Sequence, residues 1–235
     1  MSEQSVLTYY DQKARWDPEG FDWKSEKYKA NRAIRKSFDW IDWSGADVLE
    51  IGCGVGYYAL ERARFARHVD GIDLSNQNIE LARRHADRLG ITNVAFRQSD
   101  LFNFQNNTQY DIVYAITVLM HIQDLVKASQ KINALVRPGG YFLISDLNRF
   151  FHGRIQRFLM HKEKIFMRAF TYTEIRKALG ATGFQVLRES GRLYTPFGMR
   201  EPDWVLALWL EALGSLWPMK CMGEHVAVLA LKIGG

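Results

Sequence analysis

The sequence predicts an α/β fold in which a largely parallel sheet carries helices on both faces. From Asp47 to about Asp146, apolar segments of strand length alternate with longer segments of helical periodicity, the pattern of successive strand–helix units. The first strand also runs into a glycine-rich turn at 52–56, directly before a helix predicted from about Tyr57 to Phe65. A chain of 235 residues is long enough for one such domain with additions.

Residues 1–46 precede the first strand and are predicted to form two helices separated by a turn at 18–20. Aromatic residues are dense in this segment. They either pack it onto the sheet or let it close over the site as a helical lid. Tyr9 and Tyr10 are the candidate substrate-binding residues of the lid interpretation.

Seven strands are predicted, and the helices between them have clear ends. Ser75 is a good N-cap and Gly90 a good C-cap for the helix between them, while 137–140 (Arg-Pro-Gly-Gly) stops the helix that starts near Asp124. The last two strands are expected to form an antiparallel hairpin. The strands are expected at 47–51, 68–74, 94–98, 110–116, 141–146, 184–188 and 225–232.

The spacing of the glycines indicates which kind of ligand they serve. A dinucleotide fingerprint would need its third glycine where Tyr57 stands, and the chain has no phosphate-binding G-x-x-x-x-G-K-[ST] string. Asp73 lies 21 residues beyond Gly52, at the end of the second strand, where an acid can accept both hydroxyls of a ribose. Helix capping is the alternative role, but Ser75 already fills that position.

Three segments carry a resemblance to a known family. The string E-x-G-x-G-x-G from Glu50 to Gly56 resembles motif I of the class I S-adenosylmethionine (SAM) dependent methyltransferases. YDIVYAITVLMHI at 110–122 resembles the motif IV region of their small-molecule branch, and LVRPGGYFLISD at 135–146 resembles the following helix-turn-strand. The resemblance implies a Rossmann-like seven-stranded methyltransferase sheet with SAM as cofactor.

The resemblance also implies a set of cofactor-binding residues. The Asp100 side chain would meet the adenine amino group, and the next backbone N–H, that of Leu101, would face the ring. A turn-forming role is the alternative for Asp100. The full candidate set is Glu50, Gly52, Gly54, Gly56, Asp73, Leu74, Asp100, Leu101 and Ala115.

His121 is the candidate catalytic residue. It follows the fourth strand, at the sheet edge where open α/β sheets bind their ligands. A neutral imidazole there could take a proton from the methyl acceptor, or it could only shape the pocket. The proline-containing D/N-P-P-Y string of amino-directed nucleic-acid enzymes is absent, which weakens base N-methylation.

Two helical insertions are predicted on the substrate side, at about 148–170 and 203–217. Between Asn148 and Arg200 there are eleven Lys and Arg residues against three Glu. The first insertion therefore presents either a solvated basic face or a site for an anion, a membrane or nucleic acid. The second is apolar on most sides, and packs in a core, roofs an apolar pocket or touches a membrane.

Composition narrows the class of protein. With 47% hydrophobic and 24% charged residues, the chain resembles soluble globular proteins, and its polar first twelve residues lack the pattern of a secretory signal. A cytoplasmic location is the resulting expectation. Cys53 and Cys221 lack metal-ligand spacing, so no metal site is expected.

The main hypothesis is a SAM-dependent methyltransferase, with a lid at 1–46 and a SAM-binding domain at 47–235. Its acceptor would be an oxygen or nitrogen of a small molecule, anionic or lipid-like. The segment 16–20 (Trp-Asp-Pro-Glu-Gly) is similar to the start of the quinone O-methyltransferases, but the C-terminal half does not match them, so the substrate is not transferred. The alternatives are an RNA methyltransferase and a non-catalytic SAM-binding regulatory protein. Nucleic acid is not the expected partner, peripheral membrane contact stays open, and no oligomeric state is indicated.

Overall fold

A computed structural model describes residues 6–9, 11, 36–150, 167–192, 216, 221, 223 and 225–234 of the chain. Most of the predicted N-terminal lid and of the two predicted insertions lies outside the described residues. The division into a lid and a SAM-binding domain therefore stays a prediction.

Seven strands form one sheet in the order β3-β2-β1-β4-β5-β7-β6. Strand β7 pairs with β5 and β6 and runs antiparallel to both. The predicted α/β sheet is confirmed. The strand order reverses between β1 and β4, the position at which open α/β sheets bind ligands beyond their carboxyl ends. The strands are β1 Asp47–Ile51, β2 His68–Asp73, β3 Val94–Gln98, β4 Tyr110–Ile116, β5 Val136–Leu147, β6 Phe184–Arg192 and β7 His225–Lys232.

Side-chain caps start the helices that follow Ser75 and Thr171. Ser75 Oγ accepts the Asn78 N–H at 3.1 Å, and Gly90 ends the same helix in the left-handed conformation. Thr171 and Glu174 form a capping box at the start of the last helix. The α-helices are α1 Tyr57–Arg62, α2 Asn76–Leu89, α3 Leu125–Leu135 and α4 Tyr172–Gly180, with 3-10 turns at Phe38–Trp40 and Leu119–His121.

The ends of α1 and β6 differ from the prediction. Helix α1 ends at Arg62 rather than near Phe65. The Asn93 side-chain amide donates to the carbonyl oxygens of Ala63 and Ala66, at 2.7 and 3.1 Å, just beyond this end. Strand β6 continues beyond residue 188 to Arg192, because it stays paired with β7 over that length. Each difference results from a contact between segments far apart along the chain.

Strand β5 begins at Val136, five residues before the predicted start. The Pro-Gly-Gly turn still ends the preceding helix, but Val136 pairs directly with Tyr110 and the register shifts before Ile112. A Cβ at Gly140 would lie 2.8 Å from the Asp111 carbonyl oxygen. The glycine therefore permits the two strands to approach at this irregularity.

Apolar layers cover both faces of the sheet. One layer lies under α3 and α4, and the other under α1, α2 and residues 38–46. Trp43 Nε1 donates to the Phe38 carbonyl at 2.8 Å, and both rings meet Tyr114 edge to face. For these two aromatic residues, packing onto the sheet is confirmed.

A buried carboxylate at the end of β5 holds the turn that follows β4. Asp146 is 0% exposed, and its two oxygens accept the N–H groups of Met120 at 3.1 Å and Leu147 at 2.9 Å. Burial raises the pKa of Asp146 to about 7, although these backbone donors oppose the rise. Thr117 starts the turn with a φ of 56°, a conformation that a β-branched residue rarely adopts.

Neither a membrane span nor a metal cluster is present in the part of the chain that the structure describes. No helix there combines the length and apolar character needed to cross a bilayer. Within the same residues, His, Cys, Asp and Glu side chains form no group of three suited to a metal ion. The expectations on location and metals stay predictions.

The raised pKa of Asp146 gives a prediction for stability. The pKa of Asp146 is about 7 in the fold and 3.8 in the unfolded chain. The contribution of Asp146 to the free energy of unfolding is therefore complete below about pH 4 and is lost as pH rises to 7. At about 1.4 kcal/mol per pKa unit, the wild type should lose on the order of 4 kcal/mol of unfolding free energy across this range. In Asp146→Asn this pH-dependent part should be absent. Urea unfolding between pH 4 and 8 measures it, and equal slopes for both proteins would contradict the assignment.

Candidate cofactor and substrate site

The glycine-rich loop follows β1 at the reversal of strand order, and its three glycines differ in what surrounds them. All three have positive φ: 69° at Gly52, 51° at Gly54 and 87° at Gly56. A Cβ at Gly52 would lie 2.3 Å from a Val118 methyl, and one at Gly56 would lie 2.9 Å from the Phe96 ring. At Gly54 a Cβ would meet no atom of the described residues within 4 Å. Among the residues that the structure describes, Gly54 is therefore where the loop borders open space.

Four of the five backbone N–H groups from Gly52 to Gly56 are bonded inside the protein. The Gly54 N–H donates to Asp73 Oδ2 at 2.8 Å, and the Gly52 N–H donates to the Ile72 carbonyl at 2.7 Å. A pyrophosphate-binding loop needs such groups free to face the anion. The loop therefore fits a nucleoside cofactor without phosphate, as SAM is. The N–H groups bonded in this way are those of Gly52, Cys53, Gly54 and Gly56.

Asp73 is the predicted ribose ligand, and the structure shows how many hydrogen bonds it can still accept. Oδ1 accepts the Ser75 N–H at 2.9 Å and the Asn78 side-chain amide at 3.2 Å, while Oδ2 accepts the Gly54 N–H. A carboxylate has about four acceptor positions. Among the described residues three positions are filled, and one remains on Oδ2 for a ribose hydroxyl. The ribose role of Asp73 stays a prediction.

The N-terminal segment reaches the same end of β2. Ser75 Oγ donates to the Asp11 carboxylate, which places a second acid beside Asp73. Burial raises the pKa of Asp73, its three N–H donors oppose the rise, and the Asp11 charge adds to it. Tyr9 belongs to the helical stretch 6–9 and is half-buried, whereas Tyr10 lies outside the described residues. Their roles in substrate binding stay predictions.

Glu50 is buried at the end of β1, beneath the glycine loop that follows this strand. Its side chain is only 1% exposed and accepts the Tyr114 hydroxyl at 3.0 Å. Burial raises the pKa of Glu50 well above its usual range, while the Tyr114 hydroxyl, the Ala59 amide and the Arg62 charge act in the opposite direction. Glu50 thus ties β1 to β4 and α1, and its side chain does not reach the open space at Gly54.

Asp100 forms the turn after β3. Its Oδ1 accepts the N–H groups of Phe102 at 2.7 Å and Asn103 at 3.0 Å, which is the turn-forming role considered as an alternative. The side chain of Leu101 is buried in the core, so only its backbone is suited to meet an adenine ring. The adenine roles of both residues stay predictions.

Two further residues of the candidate set lie near the ends of strands. Leu74 directly follows β2, and its carbonyl accepts the Gln98 side-chain amide at 3.1 Å. Ala115 is fully buried in β4, opposite Ile51 of β1. Both therefore border the end of β1, where the glycine loop begins.

His121 belongs to the turn after β4, and this turn contacts the glycine loop. Its N–H donates to the Val118 carbonyl at 3.0 Å, and the Val118 side chain packs against Gly52. The His121 side chain is half-buried. The structure thus brings the candidate base to the same edge of the sheet as the glycine loop.

Two arginines lie beside this turn. The Arg168 N–H donates to the Met120 carbonyl at 2.9 Å, and its guanidinium donates to the Gln123 carbonyl at 3.1 Å. Arg168 and Arg149 both pair with Glu174 Oε1, at 3.0 and 2.8 Å. Two cations thus share one carboxylate, and this group carries net positive charge.

Sequence reasoning missed several residues that hold the site together. Asp146 stands at the end of a predicted strand, and that position alone could have made it a candidate. Asn78 and His85 lie seven residues apart in the helix after Asp73, a spacing that puts them on one helix face. Asp11 directly follows Tyr9 and Tyr10, but its contact with Ser75 has no signal in the sequence.

Comparison with known proteins agrees with this geometry. A sequence profile described as a methyltransferase domain matches residues 42–191. The ubiquinone biosynthesis O-methyltransferase of Aeromonas salmonicida is 35% identical over 142 residues, which cover 57% of each chain. Its counterpart in Acinetobacter baylyi is 29% identical over 153 residues, covering 62% of this chain and 63% of the relative. These matches thus span about 57–63% of the relatives' length.

A solved structure shares the fold over nearly the whole chain. The magnesium protoporphyrin IX methyltransferase of Synechocystis PCC 6803, determined with bound SAH, superimposes with a TM-score of 0.68 at 18% identity, covering 98% of this chain and 100% of that one. At this identity the likeness shows the fold. The profile match covers more than half of the chain and agrees with the predicted SAM cofactor. The chain therefore belongs to the class I SAM-dependent methyltransferase family.

Proposed function

We propose that this protein transfers the methyl group of SAM to an oxygen or nitrogen atom of a small molecule. The observation that carries the proposal is the glycine loop. Four of its five N–H groups are bonded internally, and Gly54, which donates to Asp73, borders open space among the described residues. Oxygen is the favoured acceptor atom, because the curated relatives are O-methyltransferases. Their substrate is not assigned to this chain, since the matches cover only part of their length.

The chain's own residues would orient the reactants and accept a proton. SAM supplies a methyl group that is already activated by its sulfonium. Asp73 would bind a ribose hydroxyl, and Gly54 would leave space for the cofactor beside it. The acceptor oxygen forms a bond to the methyl carbon as the carbon–sulfur bond breaks, and His121 would take the proton that the acceptor loses.

The basic group beside the His121 turn supports an anionic acceptor. Arg149 and Arg168 have side chains 46% and 30% exposed and share the single carboxylate of Glu174. A carboxylate or phosphate on the acceptor would meet a net positive surface there. We therefore propose a small anionic molecule as partner, in preference to nucleic acid. A cytoplasmic location for the reaction is a separate part of the proposal.

Methyl transfer from radiolabelled SAM into polar and lipid fractions of a metabolite extract tests the proposal. Label should enter a small-molecule fraction, and anionic material retained on an anion exchanger should carry it. Label in RNA, with binding that weakens steeply as salt increases, would instead support the RNA methyltransferase alternative. Tight SAM binding without transfer to any fraction would support the non-catalytic alternative.

The role of Asp73 gives a prediction for cofactor affinity. Replacing it with alanine should weaken SAM binding by about 1.5–3 kcal/mol, roughly a 10- to 150-fold rise in Kd, the range for a hydrogen bond to a charged group. Isothermal titration measures the change, with thermal unfolding as a check of folding. Asp87→Ala, in an exposed part of α2, is the matched control and should bind as the wild type does. Unchanged affinity in folded Asp73→Ala would contradict the ribose assignment.

The role of His121 gives a prediction for turnover. His121→Ala should lower kcat about 100-fold or more, the lower end for a general base, while the Kd for SAM stays within about twofold. Full activity of the variant would leave His121 with a structural role only.

A further inference from the structure

One face of helix α2 packs against Asp73 and the glycine loop. Asn78, Ala82 and His85 are spaced i, i+4 and i+7, which places them on the same side of a helix. All three are buried. Each lies against a different part of the site, and together they connect Asp73 with the glycine loop.

Asn78 fixes the orientation of the Asp73 carboxylate. Its side chain is 6% exposed, and its amide donates to Asp73 Oδ1 at 3.2 Å. The Ser75 N–H reaches the same oxygen from the start of the helix. With Oδ1 bound on the helix side, Oδ2 faces the loop and accepts the Gly54 N–H at 2.8 Å.

His85 holds the loop itself. Its ring is 4% exposed, and Nδ1 lies 2.9 Å from the Val55 carbonyl oxygen. Because a carbonyl can only accept, Nδ1 carries the proton and donates. The ring also stacks on Tyr57, the first residue of α1, with centroids 6.3 Å apart and planes 20° apart.

Ala82 lies between these two residues and sets how closely the loop approaches α2. A Cβ at Gly56 would lie 3.1 Å from the Ala82 Cβ. A larger side chain at position 82 would thus push the loop away from the helix. Helix α2 therefore supplies the hydrogen bond to the Val55 carbonyl and sets the distance between the loop and the helix.

We propose that Asn78 and His85 are positioning residues for the cofactor: Asn78 acts through Asp73, and His85 acts through the Val55 carbonyl. Neither touches the cofactor. Their hydrogen bonds hold the ribose acceptor and the glycine loop in fixed relation before binding, which lowers the ordering cost of binding. The inference rests on the proposed use of SAM at this site.

For Asn78, the test compares Asn78→Ala with Asn76→Ala, a change in the same helix that removes only an exposed bond to Glu80. S-adenosylhomocysteine (SAH), titrated calorimetrically, is the probe, so no methyl acceptor is needed. Asn78→Ala should raise the Kd roughly 5- to 20-fold, and Asn76→Ala less than about twofold. In a background of Asp73→Ala, the Asn78 change should have almost no further effect, since its action passes through Asp73.

For His85, three variants separate its N–H from its ring. His85→Phe keeps a ring for Tyr57 but removes the donor, and should raise the SAH Kd by roughly 5- to 20-fold. His85→Gln restores an N–H donor and should recover part of the affinity. His68→Phe, at the opposite end of β2, is the matched control and should bind SAH as the wild type does.

The outcomes distinguish this inference from the proposed function. Wild-type protein that fails to bind SAH would overturn the proposed cofactor use. Wild-type binding together with unchanged affinity in folded Asn78→Ala and His85→Phe would overturn only the positioning roles. So would a full Asn78 effect that persists without Asp73. If Asn78→Ala does not fold, Asn78→Ser replaces it with the same expected loss, because a serine hydroxyl is too short to reach Asp73.

Discussion

The Asp73 carboxylate is the point at which the site's separate chain segments meet. It accepts N–H groups from the loop after β1 and from the start of α2, and Ser75 extends the connection to Asp11. A partly buried carboxylate is stable only where donors surround it, and buried loop amides equally need acceptors. Each group satisfies the other's requirement. The geometry of the cofactor site thus follows from hydrogen bonds that the fold itself needs.

This internal pairing also explains why one loop sequence suits one kind of cofactor. Gly52 and Gly56 allow Val118 and Phe96 to pack closely, whereas Gly54 borders open space. The amides of Gly52, Cys53, Gly54 and Gly56 are already bonded, so these four are not available to a phosphate. A glycine-rich turn that looks generic in sequence becomes selective once its hydrogen bonds are assigned. The selectivity lies in which backbone groups remain unbonded, and these cannot be counted from glycine spacing.

The parts of the fold that depend on local chemistry could be predicted from the sequence. Strand–helix alternation, the Ser75 cap and the capping box at Thr171 all act within a few residues of chain. The early end of α1 depends on Asn93, thirty residues away, and the long β5 depends on pairing with β4. The supporting residues of the site were missed for the same reason. A buried His or Asn shows its purpose only when its partner across the fold is known.

The two sides of the site are held in different ways, and this difference bears on specificity. On the cofactor side, the contacts are made by particular side chains: a carboxylate at 73, an amide at 78 and an imidazole at 85. In the turn after β4, Asp146 and Arg168 bind backbone groups of Met120. The side chains of Leu119 and Met120 are buried in the core, and Val118 packs against Gly52. The cofactor side therefore constrains residue identity through polar side chains, whereas the turn bearing His121 constrains it through apolar packing.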